Sequence, residues 1–148
     1  MSRDHDISVL NGLTTTTLDS MKGYEDAAKD AESTRFASMF ADFARDRGEA
    51  ARTLQAEVSR LGATPETGSS FLAAAHRTFL DLKQAFTAKN DKAIIAEVER
   101  GEDHIKAKFE SALEDGDLEP ESTVVIREAF TSVRAGHDQM SAIKHSMA

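Results

Sequence analysis

The chain has no cysteine. That excludes disulfides, thiolate metal sites and cysteine nucleophiles together, and leaves the redox compartment undecided. Proline is nearly as scarce, at positions 65 and 120 only. β-Branched residues gather into few runs while Ala, Glu, Lys, Arg and Leu are abundant, so strands find no support and an all-α chain is expected. Positive charge is also short, with 18 Lys and Arg against 26 Asp and Glu and a formal charge of −8. No basic stripe with interleaved aromatics appears, so a nucleic acid is not expected as a partner. Long apolar runs are missing, and the opening MSRDHDISVLNGL has no basic segment followed by an apolar core. No membrane association is expected, and a soluble, acidic, cytoplasmic protein is the default. No P-loop or nucleophile elbow is present, so no catalytic residue and no cofactor is expected. The balance falls on the non-enzymatic side.

What remains is one domain over residues 1–148, with 40% hydrophobic residues and enough chain to bury a core. The 3,4 spacing of apolar residues predicts helices over about 5–31, 33–61, 69–88, 91–115 and 120–146. Asp4 or Asp6 caps the first and Ser33 the second. Gly62 ends the second, and Pro120 suits the first turn of the last. The third segment is shorter than the others, and a two-plus-two bundle accommodates it as a crossover. The chain then makes two antiparallel hairpins, with the third segment carrying it from one end of the bundle to the other.

Each long segment carries a polar residue near the middle of its apolar stripe: Thr17, Arg47, Glu102 and His137. At one level in a bundle these form a central polar layer, and Arg134, one turn before His137, is placed to join it. Helix-bundle di-metal centres use a Glu from each of two helices and a Glu-x-x-His pair from each of the other two. None of the five histidines has a glutamate three positions earlier. A metal-free network is the alternative, with Arg47 and Arg134 satisfying Glu102 and with Asp19, Thr17 or His137 completing the hydrogen bonds. His104 reads as a solvated residue and His76 as a boundary one. The acidic stretch EDGDLEPE, 114–121, lacks the ligand spacing of a calcium loop. There is also an internal echo: GYEDA at 23–27 resembles KFESA at 108–112, and FARDRGEA at 43–50 resembles FTSVRAGH at 130–137. It suggests a duplicated hairpin and pairs Arg47 with Arg134.

The stretches LDSMKGYEDAAKDAES, RGEAARTLQAEVSRLGATPE, AHRTFLDLKQAFT, AEVERGEDHIKAKFESALE and SVRAGHDQMSAIK carry a resemblance to a family. The chain is similar to a family of bacterial four-helix-bundle proteins catalogued as a domain of unknown function, and it resembles the ferritin-like superfamily. Through FADFARDRGEAARTL and GEDHIKAKF it is distantly similar to the rubrerythrins. The resemblance implies a ferritin-like four-helix bundle with metal-ligand positions at Thr17, Arg47, Ala50, Glu102, Arg134 and His137. Only Glu102 and His137 match the ligand types, and a guanidinium repels a cation at short range, so a degenerate di-iron site is expected. Two readings follow. The first is a non-catalytic bundle with a salt-bridged core and a stress-related or interaction role. The second is a metal-binding redox or metal-storage protein, holding iron or manganese at Glu102 and His137 with help from Asp19, Glu49 or Glu99. Exposed stretches such as KDAESTR and RDRGEAAR are strongly charged. A homodimer stays open, and no protein partner is identified.

Overall fold

A computed structural model describes residues 3–67 and 91–146. They form four α-helices: α1 (Arg3–Asp30), α2 (Thr34–Arg60), α3 (Asp91–Leu113) and α4 (Pro120–Ser146). No strand occurs among the described residues. The segment expected as a crossover helix, 69–88, lies outside them.

Local chemistry accounts for the helix limits. The Ser33 side chain accepts the Phe36 N–H at the start of α2, satisfying a donor that the first turn leaves without an intrahelical partner. Gly62, at φ 88°, takes the left-handed conformation that stops this helix at little steric cost. Pro120 opens α4, where a missing N–H costs nothing. The run Thr14 to Thr17 has low helix propensity, but each hydroxyl donates to the carbonyl four residues back, at 2.7–3.1 Å. Two of these hydroxyls are thereby buried without an unpaired donor.

Cross-chain bonds set the directions of the helices. The Asp91 carboxylate accepts the N–H groups of Glu32 and Ser33 at 2.9 and 3.0 Å, tying the start of α3 to the α1–α2 turn. At the other end His5 bonds Asp115 at 2.6 Å, and Ser122 in the first turn of α4 donates to Glu57 in the last turns of α2. So α3 runs antiparallel to α1 and parallel to α2, while α4 runs antiparallel to α2. Each helix packs against two neighbours, in the cyclic order α1, α2, α4, α3, with little contact across the diagonals. Glu66 is held by Asn11 in the third turn of α1. The chain therefore leaves α2 at one end of the bundle and enters α3 at the opposite end.

The apolar interior falls into two clusters. One contains Leu10, Leu54, Val58, Ile105, Phe109 and Ile126. The other contains Tyr24, Phe40, Phe43, Ile94, Val98 and Met140. Thr17, Ser20, Arg47 and Glu102 are buried as well and belong to neither, so they form a waist between the two.

Candidate functional site

The waist is built around Arg47, a guanidinium only 1% exposed. A charge so placed needs partners, because an uncompensated buried ion costs several kcal/mol, roughly. Its Nη2 donates to Glu102 Oε2 at 2.7 Å and to the Val133 carbonyl at 3.2 Å, and its Nη1 donates to Ser20 Oγ at 2.8 Å. The guanidinium carbon also sits 5.5 Å from the centroid of the Tyr24 ring, within range of a cation–π contact. Tyr24 closes the cluster by donating its hydroxyl to Glu102 Oε1. Both oxygens of the fully buried Glu102 are thus engaged, one by a cation and one by a phenol.

All four helices contribute. α1 supplies Ser20 and Tyr24, α2 supplies Arg47, α3 supplies Glu102, and α4 supplies a backbone carbonyl. The contribution of α4 depends on Gly136. A Cβ at that position would lie 2.6 Å from Arg47 Nη2, well inside van der Waals contact, so the bare glycine face of α4 is what admits the guanidinium. Burial opposes the charge of Arg47, but the adjacent Glu102 carboxylate outweighs it and keeps the pKa above the ordinary arginine value. Burial first, and then the same carboxylate, push the Tyr24 phenol well above the usual tyrosine range. The cluster is therefore a closed ion pair with a neutral phenol. Both oxygens of the carboxylate and the Ser20 hydroxyl oxygen are engaged within it.

The structure brings Arg47 and Glu102 together, keeps Thr17 at their level, and places Arg134 and His137 elsewhere. Thr17 is buried at this level but donates its hydroxyl to Leu13 in its own helix. Arg134 is exposed. His137 lies at the edge of α4 and bonds Asp103 at 2.7 Å and Asp138 at 3.2 Å, not Glu102. Partial burial works against its charge, but these carboxylates outweigh it and raise its pKa. The reason is register: α4 turns Ile126, Ala129, Val133, Gly136 and Met140 inward, so Gly136 takes the core position and the expected His137, one residue on, falls at the edge. Phe130 instead stacks on Phe109 from the side, with centroids 5.5 Å apart.

Ser20 and Tyr24 are the members that sequence reasoning missed. Tyr24 had a signal, being the only tyrosine in the chain and standing on the apolar stripe of the first helix. A lone buried phenol needs a hydrogen-bond partner, and a buried carboxylate is a natural one. Ser20 had none. Of the acids considered alongside Glu102, Glu49 is exposed and Glu99 binds Lys144 at 3.2 Å. Among the described residues, no group of three or more His, Asp or Glu side chains is arranged to hold a metal ion.

Asp19 is a buried acid of α1, and burial raises its pKa to about 7. The folded state then keeps a proton that the unfolded chain releases near pH 4. The linkage sign follows: below pH 4 both states are protonated, from 4 to 7 only the folded one is, so this residue's contribution to stability falls as pH rises through that window. Asp19→Asn should flatten the decline in Tm between pH 4 and 7 relative to wild type, as read by thermal unfolding in a pH series. A parallel decline in the two proteins would remove Asp19 as the source.

No helix of the described residues is long and apolar enough to cross a membrane. No curated protein matches the chain. A family model does, over residues 5–115, a span that holds Ser20, Tyr24, Arg47 and Glu102. By that match the chain belongs to the family described as Domain of unknown function (DUF2383).

Proposed function

We propose that this protein is a non-catalytic ferritin-like bundle in which an internal guanidinium occupies the place of a di-metal centre, and that it acts through its surface in a stress-related or interaction role. With α4 in its observed register, the six positions that would supply metal ligands are Thr17, Arg47, Ala50, Glu102, Val133 and Gly136. One of the six is a carboxylate and none is a histidine. The observation that carries the reading is the 2.7 Å bond from Arg47 to Glu102. It puts a fixed positive charge beside the one retained ligand, and Tyr24 takes the other oxygen of that carboxylate. A hard divalent ion needs several oxygen or nitrogen donors around it. At those six positions a cation would meet one carboxylate, one hydroxyl and a guanidinium, so the donor set does not fit. The parallel α2 and α3, with the chain leaving α2 at one end of the bundle and entering α3 at the other, support the ferritin-like connection.

The test is metal analysis of protein purified without an affinity tag, with thermal unfolding in iron(II), manganese(II) and zinc(II). Ligand binding at a hundredfold excess over Kd stabilises by about 2.7 kcal/mol, an easily read shift. The expected result is no stoichiometric metal, and the same small response to each ion in wild type and in Glu102→Gln. Stoichiometric metal that is lost in Glu102→Gln would establish the metal-binding reading instead.

A further inference from the structure

The two hairpins are built to one pattern. In α1 and α3, buried positions 85 residues apart correspond: Leu10 with Ile95, Leu13 with Val98, Thr17 with Glu102, and Tyr24 with Phe109. In α2 and α4 the spacing is 86: Phe40 with Ile126, Phe43 with Ala129, Arg47 with Val133, and Ala50 with Gly136. The bonds at the helix starts repeat too. Asp91 Oδ2 accepts the N–H of Ser33 just before α2, and Asp6 Oδ2, 85 residues earlier, accepts the N–H of Glu119 just before α4. The correspondence that places Arg47 against Arg134 is therefore one residue out; the structural mate of Arg47 is Val133.

Pseudo-twofold repeats raise a problem of pairing. Two hairpins with the same apolar pattern can pair with each other, or each can pair with its own kind from a second chain. The waist distinguishes these outcomes, because its charges are split between the hairpins. Of the Arg47–Glu102 pair, the first hairpin carries the cation and the second the anion; their counterparts, Val133 and Thr17, are uncharged. Pairing two first hairpins would bury two Arg47 guanidiniums without the Glu102 carboxylate that holds each of them. Pairing two second hairpins would bury two carboxylates with no cation. Only the mixed pair neutralises the core.

We propose that the Arg47–Glu102 pair is a pairing lock, which selects first-hairpin-to-second-hairpin association over like-with-like assembly between chains. The lock stands on the hairpin geometry alone and holds whatever the ancestry of the site. A single buried polar contact that specifies partner and register is the best-attested use of such groups in helical assemblies.

The experiment uses the full chain. Arg47→Met/Glu102→Leu/Tyr24→Phe removes both charges of the waist together with the phenol that Glu102 satisfies, and retains an apolar core. After unfolding in urea and refolding at high protein concentration, wild type should return to its starting size distribution by size-exclusion chromatography with light scattering. The uncharged variant should show extra dimeric and larger species, rising with concentration to several-fold above the wild-type level. A wild-type distribution for that variant overturns the proposal. A second arm mixes Arg47→Glu with Glu102→Arg, chains whose two hairpins carry matched charges. Unfolded and refolded together, they should form a one-to-one complex with a higher Tm than either chain alone. A mixture that reproduces the two separate profiles also counts against the lock.

Discussion

Glu102→Ala should lower stability by about 3–5 kcal/mol, the cost of leaving a buried ion without its partner, equivalent to a Tm loss on the order of 10 °C for a chain of this length. The loss is large because Arg47 remains. Its guanidinium is 1% exposed and cannot reach water without breaking its bonds to Ser20 and to the Val133 carbonyl. Tyr24 also loses its acceptor, and an unsatisfied buried hydroxyl costs roughly another 1–3 kcal/mol. Removing the whole set together behaves differently. Arg47→Met/Glu102→Leu/Tyr24→Phe takes away the buried charges along with their need for partners, and replacement of buried ion pairs by apolar residues of similar volume is often neutral or stabilising by about 1–4 kcal/mol. The triple variant should therefore unfold at or above the wild-type temperature. Urea unfolding of the single and triple variants measures both. A triple variant as weak as Glu102→Ala would mean that the pair itself stabilises the fold.

The second large effect is at Gly136. Replacing a helical glycine by alanine ordinarily gains about 1 kcal/mol of helix propensity. Here the new Cβ would lie 2.6 Å from Arg47 Nη2, and that nitrogen is pinned by Glu102 and the Val133 carbonyl. Overpacking of this kind costs typically 1–3 kcal/mol, and displacing the guanidinium also loosens a buried charge. Gly136→Ala should consequently destabilise wild type by about 2 kcal/mol. In the uncharged triple background the obstacle is gone, and the same substitution should stabilise by up to about 1 kcal/mol. The sign reversal is the test, read as a coupling energy in a mutant cycle. A destabilisation of equal size in both backgrounds would place the constraint in the α4 backbone packing rather than in the guanidinium.

The contrast between Arg47 and Arg134 shows how much of the site could be read from residue order. Both stand near the middle of an amphipathic helix, and an echo over eight residues aligns them. The α2 stripe is marked by Phe36, Phe40, Phe43, Leu54 and Val58, so its phase is unambiguous and Arg47 falls inside it. The stripe of α4 is marked partly by Ala129 and Gly136, residues that carry almost no hydrophobic signal, while the larger Phe130 pulls the apparent stripe one residue along. A shift of one residue turns a helix by a hundred degrees, enough to carry Arg134 from the core to solvent. His137 moved with it, from a candidate ligand to an edge histidine between two surface aspartates.

Composition and spacing by themselves determined the helical class, the limits of α2 and α4 at Ser33, Gly62 and Pro120, and the presence of a buried carboxylate at Glu102, because each of these is a local property of chain and period. Spacing also placed Arg47 at the level of Glu102 as an expected partner, while tertiary structure alone added Tyr24 to the carboxylate and Ser20 to the guanidinium and took Arg134 and His137 out. Tyr24 lies 78 residues from Glu102 in sequence and Arg47 lies 55, and their meeting depends on how α1 and α2 are rotated against α3. It depends equally on a side chain that is absent from Gly136. Steric room on a facing helix has no signature in the helix that uses it, so the seat that Gly136 makes for Arg47 could emerge only when the four helices were packed.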